Sequence, residues 1–167
     1  MKKFKFPQLN GDIIIPAGKY VITDACYFYP RNLWSNYVDR RFENSNEGIS
    51  GVTTDEEGNE FIDIFTNYGD GVYDLTKKGK AVGDLAVDSG SLAIIPYKVA
   101  QRWAEMGDRD GFKGVPRLSQ VIDLEKDSRL EMSNGNFSFG PFAVITDADE
   151  DEGDCDICGK ISDWCNC

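Results

Sequence analysis

The stretch SRLEMSNGNFSF, residues 128–139, has the pattern of a β-hairpin. Asn134-Gly135 supplies two adjacent residues that tolerate positive φ, which a two-residue type I′ turn requires. Leu130 and Met132 alternate before the turn and Phe137 and Phe139 alternate after it, so both arms offer their apolar side chains to one face. Downstream, PFAVITD (141–147) reads as a final strand, and an acidic run begins where it ends. Upstream, LSQVIDLE (118–125) reads as another strand.

The same signals recur toward the N-terminus. GDIIIPAGKYVITDACYF reads as two strands joined at Pro16-Ala17-Gly18. EFIDIFTNYGDGVYDLT reads as two strands around the Gly69-Asp70-Gly71 turn, and KAVGDLAVDSGSLAIIPYK repeats that design around Asp88-Ser89-Gly90. Two segments break the pattern with helical spacing. PRNLWSNYVDRRF places Leu33, Trp34, Tyr37, Val38 and Phe42 on one stripe, and YKVAQRWAEM does so with Val99, Ala100, Trp103 and Met106. Residues 43–59 are polar and Gly-rich, a loop with a short extended piece at Ile49–Thr53. About nine strand candidates and two helices define an α+β fold, mostly an antiparallel β barrel or sandwich with two flanking helices and a small Cys-rich C-terminal tail. The expected division is a β-rich domain over 1–146 and an acidic, Cys-rich tail over 147–167.

Composition bounds the function. The chain has 167 residues, 41% of them hydrophobic, with ten Phe, seven Tyr and three Trp, enough for a real core. No run approaches the ~18 apolar residues of a membrane span, and MKKFKFPQLN lacks the apolar stretch of a signal peptide, so a cytoplasmic protein without a membrane partner is expected. The net charge is −11, and residues 147–167 hold eight acids against one lysine. Such a field repels phosphate backbones, which disfavours direct nucleic-acid binding and leaves a basic protein surface, or imitation of a nucleic acid, as the matching roles. There is no histidine, so Ser-His-Asp and Cys-His catalysis and imidazole metal ligands drop out. Phosphate-cradling glycine loops are also missing from the sequence.

Three groups of residues could carry chemistry. At the C-terminus, Cys155-x-x-Cys158-Gly159 has zinc-knuckle spacing, and Cys165 and Cys167 complete a four-thiolate set, although the spacer is unusually compact. The competing arrangements are two disulfides or unliganded thiols, and a cytoplasmic setting opposes the former. A closed site of this kind is structural, because it leaves no position for a reacting water. Cys26 sits beside Asp24 with no base nearby and is expected to be a buried structural thiol. Asp24, Asp70, Asp74 and Asp88 fall at turns, where they either cap the backbone or converge on a divalent cation.

Three motifs, YVITDACYFYPRNLW, NYGDGVY and VDSGSLAIIP, resemble in this order a group of small phage-encoded proteins with DPCY, GDGVY and VDxGxxxIVP patterns. Asp24, Cys26 and Tyr27 match the first motif, with Ala25 in place of its proline. Gly69, Asp70, Gly71 and Tyr73 match the second, and Asp88 and Gly90 the third. The resemblance implies an accessory protein expressed in a bacterial host and carries no activity. Together these features point to a non-enzymatic binding protein that acts on a host protein or small ligand, with Tyr27, Asp70, Tyr73 and Asp88 as ligand-binding candidates. The alternatives are a divalent-metal hydrolase built on Asp24, Asp70 and Asp88, and an acidic nucleic-acid mimic.

Overall fold

The computed structural model describes residues 2–43, 50–106 and 118–147. The strands are β1 (Gln8–Leu9), β2 (Asp12–Ile15), β3 (Gly18–Thr23), β4 (Gly51–Thr54), β5 (Glu60–Phe65), β6 (Gly71–Lys77), β7 (Lys80–Val87), β8 (Ser91–Pro96), β9 (Gln120–Leu124), β10 (Ser128–Arg129), β11 (Glu131–Ser133), β12 (Asn136–Phe139) and β13 (Phe142–Val144). Helix α1 (Trp34–Phe42) lies between β3 and β4, and α2 (Tyr97–Met106) follows β8. Among the described residues the strands form sheets ordered β4-β5-β8-β3-β9, β11-β12-β13-β6-β7 and β1-β2-β10, and every pairing is antiparallel. The α+β expectation holds at this level, but neither five-stranded sheet closes into a barrel.

Strand alternation sorts the apolar residues into two clusters. Tyr20, Ile22, Ile62, Ile64, Leu92 and Ile94 project from one face of the β4-β5-β8-β3-β9 sheet and share a core with Leu75, Leu85, Phe137 and Phe139 of the other large sheet. Val21, Phe61, Ala93 and Ile95 project the opposite way and pack beneath Tyr37 of α1 and Val99, Ala100 and Trp103 of α2. This sheet is therefore covered on both faces. Strand β8 is buried at all six positions for that reason, and after Ser91 its sequence is apolar throughout instead of alternating.

The hairpins are not all where the sequence suggests. Asn134 (φ 48°) and Gly135 (φ 81°) form the expected I′ turn, with Ser133 opposite Asn136. A second two-residue turn, Lys78-Gly79 (φ 52° and 78°), joins β6 to β7 without a clear sequence signal, because lysine occupies the position that favours asparagine. Holding lysine there costs about 1–2 kcal/mol. In contrast, the three segments read as strand pairs are corners between sheets. β2 pairs with β1 and β10 while β3 pairs with β8 and β9; β5 and β6, and likewise β7 and β8, also enter different sheets.

The 43–59 segment holds β4 and a tight turn at Asp55–Asn59, with residues 44–49 outside the described set. On α1 the buried face also differs from the expected stripe. Tyr37 and Arg41 are buried and Phe42 is 41% exposed. Spacing of i, i+4 from Tyr37 falls on Arg41, so a guanidinium, not Phe42, enters the interior.

Register places two of these corners, 66–70 and 88–90, at a common end, and the 16–18 corner at the other. Thr23, Phe65, Ser91 and Gln120 lie at one end of the β4-β5-β8-β3-β9 sheet. Gly71, Val87 and the Asn134-Gly135 turn lie at the matching end of the other large sheet. Thr146 fastens the two there: its hydroxyl accepts from Asn67 N–H and donates to the Gly135 carbonyl, both at 2.9 Å.

Candidate functional site

The corner end carries all three motifs of the resemblance, and one buried carboxylate joins two of them. Asp24 follows β3 and caps the short 3-10 turn Ala25–Tyr27, accepting Cys26 N–H at 2.9 Å. It also accepts from Asp88 N–H (2.8 Å), Ser89 N–H (2.6 Å) and the Ser89 hydroxyl (2.5 Å). A carboxylate offers about four lone-pair sites, and these four donors fill them. Asp24 is fully buried, so its charge is held by directed hydrogen bonds in place of water. Above it, the half-buried Tyr27 donates its hydroxyl to Oδ2 of the exposed Asp88. Burial first, and then the Asp88 carboxylate, push the Tyr27 phenol well above its ordinary range. Tyr27 is thus held as a hydrogen-bond donor to Asp88.

The remaining candidates take other places. Asp70 is exposed at the 66–70 corner. Tyr73 has its ring in the shared core and donates its hydroxyl to the Gly69 carbonyl at 2.7 Å, so it supports the corner from below. Asp74 is exposed on β6, directly opposite Asp84 on β7. Cys26 is half-buried and not fully enclosed as expected. Among the described residues, no three carboxylates or thiols form a group that could hold a metal ion. The structure therefore brings Asp24, Tyr27 and Asp88 together and does not bring Asp70 into a ligand set with them. Cys155, Cys158, Cys165 and Cys167 lie outside the described residues.

Two buried polar centres escape a reading of the sequence. In the first, Asp63 lies beneath α1, where Tyr37 donates to its Oδ2 and the Arg41 Nε lies 3.3 Å from the same oxygen. Arg41 also donates to the Ser91 hydroxyl at 2.5 Å and spreads its guanidinium over the Phe65 ring, 4.5 Å from the centroid. Complete burial pushes the Asp63 carboxyl up, and Arg41 opposes that shift only in part. In the second, Asp55 accepts the Trp103 indole N–H at 2.8 Å and the N–H groups of Glu57 and Asn59, tying α2 to the β4-β5 turn. The available signal was an aspartate inside the apolar run FIDIF: a charge on a strand covered on both faces must find a partner.

Chemically the corner end is a rigid display. Its exposed groups include an aspartate already oriented by a tyrosine, a second aspartate on the neighbouring corner, and Asp147 beside Asn67. Comparison of the chain with protein-family models, with curated proteins and with solved structures finds no match.

Proposed function

We propose that this protein is a non-enzymatic accessory binding module of the phage type, acting in a bacterial host cytoplasm through the corner end of its β scaffold, on which the two large sheets form a sandwich. The observation that carries this reading is the four-donor seat of Asp24, which locks the 24–27 and 88–89 corners together. A surface fastened in this way loses little conformational freedom on binding, which is how preorganisation strengthens recognition. Asp70 and Asp88 are exposed there and suit a basic patch on a host protein, or a small ligand bearing a cationic group. The acidic tail, residues 147–167, adds charge of the same sign.

The hydrolase alternative is weakened by the same seat, since a carboxylate whose lone pairs are filled cannot also ligate a cation or act as a base. For the tail we retain a structural zinc held by Cys155, Cys158, Cys165 and Cys167, a clasp that folds the segment and takes no part in a reaction.

Charge reversal tests the binding surface. Asp70→Lys/Asp88→Lys should abolish salt-sensitive association with a basic host protein while leaving the folded spectrum intact. Association that survives both this change and removal of residues 148–167 would sink the proposal. Mass spectrometry of protein purified without added metal should find one zinc per chain, lost in Cys158→Ser.

A further inference from the structure

Both helices pack on one outer face of the molecule, that of the β4-β5-β8-β3-β9 sheet. The outer face of the β11-β12-β13-β6-β7 sheet has no such cover among the described residues. Strand alternation sets what it presents. Tyr73 and Leu75 of β6 and Leu85 of β7 point into the core, so Val72, Asp74, Asp84 and Ala86 point outward. Val72 is 60% exposed, and Val82, the residue passed over at the β6-β7 bulge, is 51% exposed. Ile145, just after β13, is 68% exposed and borders a shallow trough of ≈ 290 Å³ floored by Ser138 and Ala143.

The centre of this face carries charge of one sign. Register sets Asp74 directly opposite Asp84, and the Cβ atoms of such a pair stand about 5 Å apart. Both are exposed, and among the described residues neither forms an ion pair. Lys77 and Lys80 oppose each other across the same two strands, but the Lys77 ammonium lies over the Phe142 ring, which belongs to the core side. Glu131, at the far edge, is already paired with Arg129. Like charges directly opposite one another destabilise a strand pair. The other large sheet shows what relieves an acid on an outer face. There Asp63 of β5 lies beneath α1, and Arg41 of that helix meets it at 3.3 Å while the Tyr37 ring packs on Phe61.

We propose that this outer face docks an amphipathic helix of a partner protein, with an arginine of that helix bridging Asp74 and Asp84 and its apolar side chains resting on Val72, Val82 and Ile145. A guanidinium suits the task, because its fork of donors reaches two carboxylates and its long stem covers apolar surface. Such a helix does for this sheet what α1 does for the other. A second copy of the chain fits worse, since two of these faces laid together bring Asp74 and Asp84 of one against acids of the next. The face is distinct from Asp70 and Asp88, so the inference stands or falls independently of the corner end.

The probe is a synthetic amphipathic helix of leucine, alanine and arginine, about 18 residues long so that it is helical in water, titrated into the ¹⁵N-labelled full chain. Saturable backbone amide shifts are expected at residues 72–76, 82–86 and 143–145. Asp74→Lys/Asp84→Lys should weaken binding about tenfold or more, and Asp70→Lys/Asp88→Lys, which tests the corner end, should weaken it far less. The same peptide with glutamate in place of arginine should give no saturable shift. In the free protein Asp84→Asn removes the cross-strand repulsion, so its urea midpoint should rise while its affinity for the peptide falls. The spectrum of each variant reports directly whether it is folded. Shifts that do not saturate, that centre on residues 70 and 88, or that persist unchanged in the folded Asp74→Lys/Asp84→Lys variant overturn the site. So do the same shifts produced by raising the protein concentration without peptide, which would mark a face between copies.

Discussion

Asp24 and Ser89 stand 65 positions apart in the chain, and the carboxylate of one accepts both the N–H and the hydroxyl of the other, at 2.6 and 2.5 Å. This contact ties the end of β3 to the corner between β7 and β8, the corner that displays Asp88. Asp24→Asn places an amide donor against groups that are themselves donors. It should lower unfolding free energy by about 3 kcal/mol, whereas the exposed Asp70→Asn should change it by no more than about 0.5 kcal/mol. Urea unfolding of both variants checks the contrast, and equal effects would show that Asp24 holds nothing together.

The Arg41–Asp63 pair is almost fully enclosed, with side chains 4% and 1% exposed. Arg41→Met leaves Asp63 without its cation and should cost about 3–5 kcal/mol near neutral pH. Burial already raises the Asp63 carboxyl above its unfolded value of 3.8. Between the unfolded value and the raised folded one, the folded state binds this proton more readily than the unfolded state does, so stability falls as pH rises through that window. Removing Arg41 raises that value further, so the gap between wild type and variant should be wider at pH 7 than at pH 4. A gap that narrows with rising pH would contradict the assignment.

Two glycines in two-residue turns separate backbone strain from packing. Gly79 (φ +78°) has nothing within 4 Å of an added Cβ, so Gly79→Ala should cost about 1–2 kcal/mol from conformation alone. At Gly135 (φ +81°) the same atom would come within 2.5 Å of Asn67 N and 2.8 Å of the Phe65 carbonyl, both backbone. Gly135→Ala should therefore cost about 1–3 kcal/mol more than Gly79→Ala. Paired denaturation curves measure the difference, and similar costs would mean that the hairpin does not sit closely on the β5 corner.

Asp147 accepts hydrogen bonds from the side chains of Asn136 and Asn67, at 2.8 and 2.7 Å, and these hold its carboxyl below the usual 3.8. The unfolded state thus binds this proton more readily than the folded state does. The contribution of Asp147 to stability is present above pH 3.8 and is lost as pH falls through the lower folded value. Carboxyl ¹³C titration should show Asp147 returning toward the ordinary value in Asn67→Ala/Asn136→Ala. An unchanged titration in that variant would mean that the two asparagines do not lower it.

The local elements of this protein are legible in the order of its residues. Alternation marks the strands, Asn134-Gly135 marks one hairpin, and helical spacing locates α1 and α2, because each of these signals depends on neighbours within a few positions. The lack of histidine likewise narrows the chemistry before any coordinates are consulted. Strand partnering is a different matter, and it emerges only from the packed molecule. The corner 88–90 and the turn 78–79 each follow one strand and precede another, yet only the second joins paired strands. Which pairing forms depends on which faces are buried together, and that is a property of the whole core. Asp24 shows the same limit at the site. Its residue type and turn position can be read directly, but its donors on residues 88 and 89 come from a distant stretch that only the packing of two sheets brings near.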